Sequence, residues 1–164
     1  MLVRRNPNVP YVWVPDFDPA IDQKAWDPAA KARYFSLAGE VDYTLPPIKA
    51  GDVPVRVYLS PLTHEDFLRV QAMEDQKRSA CWEDEEIREV ILKACVRDIK
   101  GVFEEAVNAD GTVGFVELSH DRLFGADGKI NAEGLSFFHN AKMAAPGAAV
   151  AWGISHSRFT ARPT

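Results

Sequence analysis

The chain has 164 residues, 46% of them hydrophobic and 26% charged, with a net charge of −5. Such values suit a single globular domain with its own core and exclude a wholly disordered chain. No basic stripe supports a nucleic-acid footprint, and no apolar run approaches the ~20 residues of a membrane span.

Met1-Leu2-Val3 runs straight into Arg4-Arg5-Asn6-Pro7, so no signal peptide is expected. Cys81 and Cys95 have neither zinc-knuckle nor redox spacing and read as free thiols of a reducing compartment. The acid is concentrated in residues 53–116, which hold 13 acidic and 8 basic side chains and read as a solvated helical face.

Residues 1–40 form an expected arm, broken repeatedly by proline and rich in aromatics. Tyr11 to Val14 reads as a short strand stopped by Pro15. Asp27-Pro28 reads as a cap and first residue of a helix through Phe35. Tyr11, Trp13, Phe17, Trp26, Tyr34 and Phe35 are the expected interface residues, because aromatic side chains give area with a polar handle. Such a segment lies along a surface, its own domain's or a neighbour's. For Trp13 and Trp26 the expectation is contact with another domain or chain.

A globular domain is expected over 41–164. Val41, Tyr43 and Leu45 alternate with polar residues, as do Val53, Val55, Val57 and Leu59, predicting an antiparallel pair of strands. Pro54 places its strand's start at an edge or bulge. A helix is predicted from Thr63 to about Ser79, with Phe67, Leu68, Val70 and Met73 inward. A second starts at the acidic run Glu83 to Glu86 and closes at Gly101, with Ile87, Val90, Ile91, Ala94, Cys95, Ile99 and Val102 at helical spacing. Leu92 and Val96 widen its apolar face, so it is central to the domain or shared with a partner. Val102 to Ala106 and Thr112 to Val116 flank Asn108-Ala109-Asp110-Gly111 as a hairpin. Ser119 and Asn131 read as helix caps, and Pro146-Gly147 divides this region from a last helix over Ala148 to Ile154. The fold class is α+β: a small antiparallel sheet on a central pair of helices, with an extended N-terminal arm.

Chemistry-bearing motifs resolve into structural readings. Asp127-Gly128-Lys129-Ile130-Asn131 resembles the middle of a calcium loop, but Leu123 and Gly125 occupy positions that need oxygen ligands, and a tight turn explains the same letters. Asp16, Asp18 and Asp22 read as loop acids. His64, His120, His139 and His156 show no helical i, i+4 pair. No nucleophile elbow or phosphate loop is present, and Ser155-His156-Ser157 is not by default a triad. No catalytic, metal or cofactor residues are assigned.

Val55-Arg56-Val57-Tyr58-Leu59-Ser60-Pro61-Leu62-Thr63 leads a strand into a helix, and Ile91 to Val102 ends a second one. Asp110-Gly111, short helices and Ser157-Arg158-Phe159-Thr160 follow. This order resembles the small accessory proteins of tailed bacteriophages, in particular tail assembly chaperones and minor virion proteins, over about residues 53–160. The resemblance implies a non-enzymatic structural or assembly protein in the virion or the bacterial host cytoplasm. Its partners would be capsid, connector or tail proteins in an oligomeric assembly, without direct nucleic-acid or membrane contact. It brings no functional residues, and residues 1–52 lie outside it. Two other expectations stand beside it: an acidic regulatory protein that binds and inhibits a host protein, and a small enzyme whose site converges only in space.

Overall fold

A computed structural model describes residues 2–4, 9–34, 44–156 and 159–161. The class is α+β. In chain order the elements are β1 (Leu2–Arg4), β2 (Tyr11–Trp13), α1 (Pro28–Tyr34), β3 (Arg56–Leu59), α2 (His64–Lys77) and α3 (Glu85–Cys95). They continue with β4 (Val96–Lys100), β5 (Phe103–Val107), β6 (Val113–Glu117), α4 (His120–Leu123), α5 (Ala132–Asn140), α6 (Ala144–His156) and β7 (Phe159–Ala161). Among the described residues the strands form three antiparallel sheets: β2-β3-β4, the β5-β6 hairpin, and the pair β1-β7.

The strand over Arg56–Leu59 is the centre of its sheet, with β2 on one edge and β4 on the other. The expected pairing with residues 41–45 is corrected accordingly. Residues 41–43 lie outside the described residues, Thr44 to Pro47 carry no strand, and both edges of β3 are occupied. Pro54 precedes the strand, where its missing donor costs nothing. Gly101 turns the chain with φ +79°, and a Cβ there would run into the Pro54 carbonyl.

Capping sets the helix starts. Thr63 Oγ1 accepts from the Asp66 N–H at 3.2 Å, and Asp84 Oδ1 accepts from the Ile87 N–H at 3.0 Å. Asn131 Oδ1 accepts from the Gly134 N–H at 2.9 Å, and Asp27 Oδ2 from the Ala30 N–H at 3.1 Å. In α2 Val70 is buried, but Leu68 is 50% exposed and not inward as expected.

The second long helix is shorter than its apolar spacing suggests. It stops at Cys95, and Val96 opens β4 without a loop. The register steps from Leu59↔Val96 to Tyr58↔Asp98, which leaves Arg97 as the extra residue of a bulge. The bulge lets Val96 and Ile99, three residues apart, both face the core. That spacing mimics a helix turn in the sequence.

The last long helix also differs. It runs from Ala144, so Pro146 and Gly147 lie inside its first turn and do not divide the region. Proline is tolerated there because its N–H would have no intrahelical partner. A Cβ on Gly147 would sit 3.2 Å from the Phe138 ring, 3.3 Å from Trp13 and 3.6 Å from Leu92. Its absence lets α6 approach closely. Packing of α6 on α3 forms the centre of the core, with Ile87, Ile91, Leu92, Ala148, Ala151 and Ile154 all buried.

Candidate functional site

The expected interface aromatics have different fates. On β2, Tyr11 and Trp13 alternate inward and are buried, with Trp13 against α6. Trp26 is buried in a second small cluster with Val14 and Ile21. Its ring meets Tyr34 edge-on at 5.3 Å and carries Lys31 Nζ at 5.6 Å. The Tyr34 hydroxyl accepts from the Val14 N–H at 2.9 Å and donates to the Val14 carbonyl at 2.5 Å, which ties α1 to the end of β2. The surface of Tyr11, Trp13 and Trp26 is therefore covered within the chain and corrects their reading as partner contacts. Phe17 is 49% exposed, and Phe35 lies outside the described residues.

Among the described residues, half of the exposed large apolar side chains are on the β5-β6 hairpin. Directly opposed residues of an antiparallel pair share a face. The pairs Phe103↔Glu117, Glu105↔Phe115 and Val107↔Val113 therefore place Phe103, Val107, Val113 and Phe115 together. Their exposures are 46%, 76%, 61% and 70%. The hairpin's base is fixed: the Leu118 N–H donates to the Val102 carbonyl at 2.8 Å, and the Gly101 N–H donates to Glu117 Oε1 at 2.9 Å. From the other face, Glu104 reaches Arg122 at 3.1 Å, and Arg122 also holds Glu133 at 2.8 Å. At the tip, Gly111 has φ +83° and Asp110 Oδ1 accepts from the Thr112 N–H at 3.0 Å. Sequence reading located this hairpin but not its apolar face. The signal was present in the alternation of Phe103 with Val107 and of Val113 with Phe115.

The loop acids have structural roles. Asp18 is buried, with Oδ1 accepting from the Ala20 N–H at 2.9 Å and Oδ2 from the Val55 N–H at 2.7 Å. Asp22 accepts from the Ala25 N–H at 3.3 Å. Asp16 borders an apolar cavity of about 260 Å³ with Trp13, Tyr34, Trp82 and Pro146, and burial pushes its carboxyl above the usual range. Asp127 Oδ1 accepts from the Lys129 N–H at 3.0 Å in a turn where Gly128 has φ +76°. In the acidic run, Lys77 pairs with Asp84 at 3.3 Å and with Glu86 at 2.7 Å.

Three of the histidines stay apart. His120 stacks on Phe124 at 4.3 Å and reaches Asp98 at 3.1 Å. His156 Nδ1 donates to the Trp152 carbonyl at 2.8 Å, beside the Phe67–Trp152 stack. His64 opens α2. The fourth, His139 on α5, meets Glu85 and Glu89 of α3, with one donor atom from each within 4.8 Å of the others. Ser155 Oγ is committed to backbone groups, and both cysteines are buried as free thiols.

No family model matches the chain, and no curated protein or solved structure matches it significantly. Among the described residues, no helix is long and apolar enough to cross a membrane.

Proposed function

We propose that this chain is a non-enzymatic structural or assembly protein of the tailed-bacteriophage kind, which binds a neighbouring virion protein through the apolar face of its β5-β6 hairpin. The observation that carries the binding role is the set Phe103, Val107, Val113 and Phe115, exposed together on one face of a hairpin whose base is fixed. These four share their face with Glu105 and Glu117, and an exposed apolar patch rimmed by polar residues marks an interaction site. Burial of such side chains is worth about 1.5–3 kcal/mol each, before the cost of association. A stable complex buries about 1,200–2,000 Å², so the hairpin supplies the apolar centre of a larger contact. The virion assignment rests on the resemblance in element order read from the sequence over residues 53–160.

The test compares the chain with a V113E/F115E variant by light scattering, alongside mass spectrometry of purified virus particles. The reading requires the chain at a fixed copy number per particle and loss of that incorporation in the variant, with unfolding unchanged. A protein absent from particles and monomeric at every concentration would overturn it. A salt-sensitive complex with a host protein, unaffected by V113E/F115E, would move the assignment to a host-directed binder.

A further inference from the structure

We propose that Glu85, Glu89 and His139 form a binding site for a divalent transition-metal cation of the zinc type, which ties α3 to α5. Glu85 and Glu89 stand four residues apart on α3, so their side chains are neighbours on one helix face. His139 comes from the last turn of α5, far along the chain. One donor atom of each lies within 4.8 Å of the other two.

Two unmet needs converge there. Like charges at i, i+4 destabilise a helix unless a cation lies between them. Among the described residues, the ion pairs of this acidic run go to Asp84 and Glu86, both held by Lys77, and none reaches Glu85 or Glu89. Independently, His139 Nε2 is buried without a hydrogen-bond partner. An unpartnered buried polar atom is costly, and native structures rarely keep one without a reason. A cation held between the helices by both carboxylates and Nε2 removes the carboxylate repulsion and gives that nitrogen its partner.

The donor set selects the ion. Calcium and magnesium take oxygen ligands, whereas imidazole suits zinc and its neighbours. Zinc holds nitrogen and carboxylate oxygen at about 2.0–2.2 Å. Glu85 is exposed and Glu89 half-buried, so rotation of the glutamate stems can bring donors that lie within 4.8 Å of one another onto that shell. Three protein ligands leave the fourth position of a tetrahedral ion to water.

The test is calorimetric titration of the full chain with zinc chloride, with cobalt(II) absorption as the probe of tetrahedral geometry. One equivalent of zinc is expected, with a rise in melting temperature of about 5–10 °C at roughly a hundredfold excess over Kd. H139A and E89Q each weaken binding by at least about tenfold, the lower end of what even an outer-sphere partner is worth. H64A, at a histidine on another element, leaves it unchanged. Glu89→Gln keeps shape and helix propensity, so it decides the matter if His139→Ala fails to fold. Absence of zinc binding would overturn the proposal. So would zinc held equally well by E89Q and H139A, as by the thiols, or zinc lost in H64A.

Discussion

Ser155 Oγ accepts a hydrogen bond from the Leu62 N–H at 2.9 Å and donates its own proton to the Ala151 carbonyl at 2.7 Å. The serine is buried near the end of α6, and Leu62 is the buried residue that precedes the cap of α2. One hydroxyl thus satisfies a backbone donor that has no water to turn to. It also fixes where α2 starts relative to α6. Ser155→Ala leaves that donor without its partner at an expected cost of about 1–3 kcal/mol. Urea unfolding measures it, and a midpoint equal to that of the unaltered chain would refute the role.

Two leucines on neighbouring helices give opposite expectations. Leu92 is fully buried between α3 and α6, whereas Leu68 on α2 is 50% exposed. Leu92→Ala loses about 2–5 kcal/mol, through lost transfer and the cavity left behind. Leu68→Gln stays within about 0.5 kcal/mol of the original, as surface changes do. Equal losses in thermal unfolding would contradict this burial pattern.

Acid sensitivity follows from the cap of α3. The Ile87 N–H, and then Lys77, hold the Asp84 carboxyl below the usual aspartate range. A depressed folded pKa means the unfolded chain binds the proton more readily. The cap's contribution is therefore whole above the unfolded carboxylate value and is lost as pH falls through the lower folded one. Asp84→Asn still caps the helix but does not titrate. Urea midpoints taken between about pH 5 and pH 2 should fall less steeply in D84N. An identical slope in both proteins would exclude Asp84 as a source.

Burial pushes the thiols of Cys81 and Cys95 up to about 12, with desolvation as the main cause for each. The thiolate is the reactive form. At about pH 8 the folded protein should react with a disulfide reagent only as fast as it opens, and both thiols should react at once in denaturant. Prompt stoichiometric labelling of the folded chain would show that at least one sulfur is accessible.

The sequence by itself determined the local structure. Asp27-Pro28, Thr63 and Asn131 announce helix starts because a side-chain oxygen caps its own chain three residues on, whatever lies around it, and the acidic run Glu83 to Glu86 announces another through the helix dipole. Asn108 to Gly111 announces the hairpin because a positive φ needs glycine locally. Tertiary structure decided what depends on partners distant in the chain. Val96 and Ile99 fit a helix by spacing and became a strand because β3 offers a free edge and a bulge there. Tyr11, Trp13 and Trp26 have interface composition and became core because β2 adds to the sheet and Val14 and Ile21 cover Trp26. The meeting of His139 with Glu85 and Glu89 has no sequence signal, since it exists only after α3 and α5 pack around α6.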